Sequence, residues 1–171
     1  MRNDARLHVP RRRSVGGLIA LLGLATALSS TPSYAARQGG FADFAGSWFG
    51  SGYVQSTSGS EAIRCRAQYA VGPDGASVEQ RLVCASASYK FNIDCQATES
   101  NGAISGTWTE TTRSVTGSLS GSLRGGQLQA QVSSPFFTAG LSLSTSRNRQ
   151  DVVISPQGND IRQVVVQLRR R

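Results

Sequence analysis

The sequence predicts an all-β protein: a single antiparallel up-and-down barrel of about 8–10 strands, with a two-sheet β-sandwich as the alternative, behind a cleavable signal helix. Three observations carry this. Apolar and polar residues alternate with a period of two over nine or ten short runs, spaced roughly ten residues apart. Turn signals rich in Gly, Asn, Pro and Ser separate the runs. After residue 35, no stretch of about ten residues keeps an apolar period of 3.6.

Residues 1–35 read as the signal peptide. Arg2, Arg6, Arg11, Arg12 and Arg13 give a basic start. Val15 to Leu28 is apolar but shorter than the ~20 residues that span a bilayer, and Ser33-Tyr34-Ala35 supplies small residues for cleavage after Ala35. The mature chain then carries no transmembrane span and is exported, periplasmic or secreted. Residues 36–45 form a flexible lead in which Phe41 to Phe44 make a short helical turn or a barrel plug, and 46–171 form the barrel domain.

The first strand covers Gly46 to Ser56, with Trp48, Gly50, Gly52 and Val54 on one face. In the next run Ile63, Cys65, Ala67, Tyr69 and Val71 face inward, with Arg64, Arg66 and Gln68 between them. Gly72-Pro73-Asp74-Gly75 turns the chain into Val78, Leu82 and Cys84. With Pro73 to Ala76 as a four-residue loop, facing residues have numbers summing to 149, so Cys65 lies opposite Cys84 on the apolar face. Opposed Cβ atoms about 4.5–5.5 Å apart are close to disulfide range, and an exported chain meets oxidising conditions, so a Cys65–Cys84 bond is expected. The third run holds Tyr89, Phe91, Ile93, Cys95 and Ala97 on one parity. A tight second turn would bring Cys95 to the region of Glu79, leaving it a small buried hydrophobe.

After Asn101-Gly102, Ile104, Gly106, Trp108 and Glu110 share a face. Val115 to Leu123 follows, then Leu128, Ala130 and Val132, then Phe137 to Leu143 beyond Pro135. Val152 and Ile154 lead to a turn at Ser155 to Asn159, and Ile161 to Leu168 closes the set with Val164, Val166 and Leu168 inward. A meander this long favours closure, which removes exposed strand edges.

Gly46-Ser47-Trp48 on the first strand resembles the Gly-x-Trp signature of calycins, the lipocalin and avidin-like group. That resemblance implies a Trp48 that caps one barrel end beside a basic residue from the end of the last strand, Arg169 or Arg170. The second lipocalin signature and the avidin ligand residues have no counterpart here. More of the chain resembles small exported alphaproteobacterial proteins of unassigned function, in Gly46 to Gly52 (Gly-x-Trp-x-Gly-x-Gly), Cys65 to Tyr69 (Cys-Arg-x-x-Tyr), Leu82 to Ser86, Gly106 to Glu110 and the Leu168 to Arg170 end. It implies export and a β domain but no activity.

Composition excludes several chemistries. The single His is His8, inside the signal, so the mature chain has no His-based triad or His metal ligand. No cofactor, metal site or nucleophile–base pair is implied, and no enzyme is expected. Removing five arginines and Asp4 with the signal leaves 13 basic and 9 acidic residues, a net of +4, with no basic stripe of the kind that binds nucleic acid. The candidate ligand-binding residues are Trp48, Tyr69, Tyr89, Trp108 and Glu110. An inward Glu110 would suit a ligand amine, an arginine partner or an acid with a raised pKa. The partner classes are a small apolar ligand inside the barrel or, with a filled barrel, an envelope protein, a protease-inhibitor-like role included. Inward small residues such as Gly50, Gly52, Gly106, Gly117 and Gly121 fit a cavity and tight strand curvature equally.

Overall fold

The computed structural model describes residues 40–171; the signal peptide falls outside them. Ten strands follow a 3-10 turn at Ala42–Phe44: β1 Gly46–Ser56, β2 Gly59–Val71, β3 Ser77–Ala85, β4 Lys90–Ser100, β5 Ala103–Glu110, β6 Val115–Arg124, β7 Gln127–Ser133, β8 Thr138–Ser146, β9 Arg149–Gln157 and β10 Ile161–Arg170. Each strand is antiparallel to its chain neighbours, and β1 also pairs with β10, from Trp48 opposite Arg170 to Ser56 opposite Ile161. The barrel is therefore closed, which sets the sandwich aside.

Inward positions are mostly apolar and outward ones mostly polar, with Gln80, Glu110 and Gln150 inward and Tyr53 and Val83 outward as exceptions. On β2, Ile63, Cys65, Ala67 and Tyr69 are buried while Arg64, Arg66 and Gln68 are exposed. On β6 and β7 the outward residues are serines, Thr116, Arg124 and glutamines. That polarity is the reverse of a barrel embedded in lipid. Among the described residues no helix is long and apolar enough to cross a membrane.

The first hairpin has the predicted register. The Gly72 N–H donates to the Ser77 carbonyl, Cys65 faces Cys84, and the two sulfurs are bonded. Gly75 supplies the left-handed conformation (φ 72°) that the turn requires, and the Asp74 carboxylate accepts the Ala76 N–H at 3.0 Å. One position differs at the second hairpin: Cys95 faces Gln80, not the outward Glu79. The wider turn at 86–89, in which Ser86 and Tyr89 exchange backbone and hydroxyl bonds, sets that register.

The inward glycines serve strand approach. A Cβ on Gly52 would lie 1.8 Å from the Val165 carbonyl oxygen, and one on Gly50 1.8 Å from that of Gln167. Side chains there would push β10 off β1 where the barrel closes.

The two ends differ. At the end where β1 begins, Phe41 (2% exposed), Phe44 (1%) and Trp48 (0%) form a plug. The stretch expected as a flexible lead, 36–45, is described from Gly40 onward and is packed there: the Phe41 N–H donates to Gly75, Gly40 donates to Glu99, and the Phe44 ring meets Phe41 and Tyr69 edge-on at 5.7 and 5.9 Å. At the opposite end the inward residues Phe91, Ile93, Leu141, Val152, Ile154, Ile161 and Val164 are only half-buried. There β9 and β10 pair no further than Ile154 opposite Val164. β9 nonetheless runs on to Gln157, so the turn expected from Ser155 is confined to 158–160. Pro156, which has no N–H to give, sits where β9 lacks β10 as a partner.

Candidate functional site

Inside the barrel lies a cavity of about 310 Å³. Its floor is the plug, through Phe41, Phe44 and Tyr69; its walls include Leu82, Cys95, Trp108, Leu141, Val152 and Ile154; Phe137, Pro156 and Asn159 line it toward the open end. Inward side chains of a closed barrel can meet water only through its interior. The half-buried residues at that end therefore mark the mouth.

Among the described residues, the lining carries no charged side chain. Its polar groups are Tyr69, Gln80 and Asn159, beside the Cys95 thiol. Tyr69 donates its hydroxyl proton to Gln150 Oε1 at 3.3 Å and accepts from Gln80 Nε2 at 3.1 Å. Gln150 is fully buried behind it, and neither its Nε2 nor the Oγ1 of Thr145, its strand partner, has a hydrogen-bond partner among the described residues. Burial pushes the Tyr69 phenol far above its ordinary range and the Cys95 thiol up to about 11, so both stay neutral at pH 7.

Of the five candidate residues, Tyr69 and Trp108 line the cavity and Trp48, Tyr89 and Glu110 do not. Trp108 donates its indole N–H to the Ser118 carbonyl at 3.3 Å and tilts against Phe137 at 5.9 Å. Tyr89 stacks on Phe91 at 6.1 Å, outside the lining. Trp48 lies below the floor. Its Nε1–H donates to the Phe44 carbonyl at 2.7 Å, and the Arg170 guanidinium sits 4.7 Å above its ring and also bonds the Asp43 carbonyl. Arg170, not Arg169, takes that place because it shares the inward parity of Val166 and Leu168.

Glu110 points inward as parity predicts; it is absent from the cavity lining, its pKa is lowered and not raised, and of the expected partners it meets an arginine, Arg113. Its carboxylate is taken up by its own turn and by β4 beside it, accepting the Asn92 N–H at 3.1 Å, the Thr112 N–H at 3.3 Å, the Thr112 hydroxyl at 2.6 Å and the Arg113 N–H at 2.7 Å, with the Arg113 guanidinium at 3.5 Å. Burial alone would raise its pKa; the four hydrogen bonds outweigh it and hold the carboxyl down at about 2. Among the described residues no three His, Cys, Asp or Glu side chains cluster as metal ligands.

No known protein family, no curated protein and no solved structure matches this chain.

The residues that sequence reasoning passed over are Gln80 and Gln150. Gln80 shares the parity of Val78, Leu82 and Cys84, so an inward polar residue was legible there. Gln150 was not, because β9 begins at Arg149, three residues before the apolar pattern of Val152 and Ile154 starts. Phe137 belongs to the turn before β8 yet still reaches the cavity.

Proposed function

We propose that this protein binds a small apolar molecule inside its barrel and is not an enzyme. The observation that supports this reading is an unfilled apolar cavity of about 310 Å³, closed at one end and open at the other. That volume is at the lower edge of the roughly 300–1,000 Å³ of typical small-molecule sites, which are likewise mostly apolar with few polar groups. The neutral Cys95 thiol and the fully bonded Glu110 leave no activated nucleophile or free carboxylate in the lining, which supports binding over catalysis. The stacking of Arg170 on Trp48 supports the calycin resemblance. The Cys65–Cys84 bond supports export, periplasmic or secreted. The alternative, an envelope interaction protein with a filled barrel, requires an interior that side chains occupy, and the cavity weighs against it.

Native mass spectrometry of the protein purified without detergent from its own source tests the reading. A retained molecule of a few hundred daltons, released on unfolding, is the expected result. A bare polypeptide mass, together with no saturable uptake of a neutral apolar dye, would overturn it.

A further inference from the structure

We infer that the cavity selects an uncharged ligand, apolar along its length and carrying one hydroxyl or carbonyl group that bonds the Gln80 amide. This rests on the binding function proposed above and specifies its ligand class.

The argument follows the hydrogen bonds along the wall. Tyr69 gives its only proton to Gln150, so between Tyr69 and Gln80 it must act as acceptor. The Gln80 amide thus spends one of its two N–H groups on Tyr69, and among the described residues its Oε1 and second N–H have no side-chain or turn partner. Gln80 is half-buried and lines the cavity. Its neighbours across the strands are Tyr69 and Cys95, and the Cys95 thiol is at most a weak hydrogen-bonding partner. A ligand hydroxyl can donate to Oε1, and a ligand carbonyl can accept from the second N–H. Asn159, the other amide in the lining, sits in the β9–β10 turn at the mouth, where water reaches it; its Oδ1 already accepts the Ile161 N–H at 2.9 Å.

Charge is disfavoured on either sign. A carboxylate or ammonium drawn inside would lose its hydration and find no counter-ion, because no charged side chain lines the cavity and Tyr69 and Cys95 stay neutral. A neutral oxygen meets a partner with spare capacity. Size follows from volume: about 310 Å³ is at the lower edge of small-molecule sites and suits compact neutral probes such as a chain of about ten carbons or a small aromatic dye.

The test uses the folded barrel, the neutral dye N-phenyl-1-naphthylamine as reporter, and 1-decanol, 2-decanone, decane and decanoate as competitors. Wild type is expected to bind decanol and decanone and to bind decanoate at least about tenfold more weakly at pH 7. Gln80→Met is expected to weaken decanol and decanone about fivefold and to leave decane unchanged, as loss of one neutral hydrogen bond implies. In wild type, the carbonyl stretch of bound 2-decanone should shift to lower frequency than in hexane, a readout that does not depend on the variant folding. Equal effects of Gln80→Met on all three neutral ligands, decanoate binding as tight as decanol, or an unshifted carbonyl would each overturn the inference while leaving apolar binding standing. Failure of the dye and every competitor to bind would instead overturn the binding function itself.

Discussion

Replacing Glu110 by Gln separates a turn-clamping carboxylate from a ligand-binding one. The wild-type carboxylate accepts four hydrogen bonds from Asn92, Thr112 and Arg113. The amide keeps the shape but turns an N–H₂ group toward N–H donors. The magnitude follows from linkage. The folded pKa lies at about 2 against an ordinary 4.5, and about 1.36 kcal/mol per unit sets a ceiling of about 3 kcal/mol. Because the turn stands at the barrel rim beside bulk water, about 2 kcal/mol is the expected share. This pKa is depressed on folding, so the stabilisation is complete above pH 4.5 and disappears as pH falls through about 2. Urea unfolding of wild type and Glu110→Gln, measured from pH 7 to pH 2, should show a gap of about 2 kcal/mol at neutral pH that closes toward pH 2. Glu61 also has a lowered pKa, through Ser86 and Ser88, but it is present in both proteins and cancels in the difference. A gap that stays constant with pH, or no gap at pH 7, would refute the reasoning. Dye binding should be the same in both proteins, since Glu110 is absent from the cavity wall.

Three further outcomes follow from the geometry. Reducing Cys65–Cys84, whose partners are 19 residues apart, should cost about 3 kcal/mol by loop entropy, read as a drop in the urea midpoint; an unchanged midpoint would mean the bond restrains nothing that the hairpin does not already fix. Gly52→Ala, with its Cβ 1.8 Å from the Val165 carbonyl, should lose about 3 kcal/mol or more, whereas Gly140→Ala, with nothing within 4 Å, should stay within about 0.5 kcal/mol; thermal unfolding of the pair contradicts the closure argument if the two behave alike. Cys95 should react with methyl methanethiosulfonate slowly at pH 7 and about tenfold faster per pH unit up to about 11, and a bound apolar ligand should protect it; labelling at pH 7 as fast as a free cysteine would contradict its burial.

Most of the fold was legible because the alternation with period two is a local property. Parity named the inward face of every strand, and the four-residue turn after Gly72 fixed the Cys65–Cys84 register. The sequence offered Arg169 or Arg170 beside Trp48; it is the structure that places Arg170 there, on the inward parity of Val166 and Leu168. The cavity was not legible, because whether a barrel fills depends on how far the strands stand apart. The inward glycines looked as suitable for a cavity as for curvature. In the structure they do the second: each Cβ position at Gly50, Gly52, Gly106, Gly117 and Gly121 meets the backbone of a neighbouring strand. The space comes instead from Leu, Ile, Val and Phe side chains that do not meet across the mouth. Glu110 was legible in direction and in one of its three suggested roles, an arginine's partner, here Arg113; its backbone partners Asn92, Thr112 and Arg113 carry no sequence signature.

Titration of the folded protein with N-phenyl-1-naphthylamine, beside an Ala139→Phe variant that directs a ring from the buried wall into the cavity, tests the central claim most directly. The account predicts saturable one-to-one uptake by wild type and its loss in a variant that melts no lower. Absence of uptake by wild type, or equal uptake by the folded variant, would contradict it.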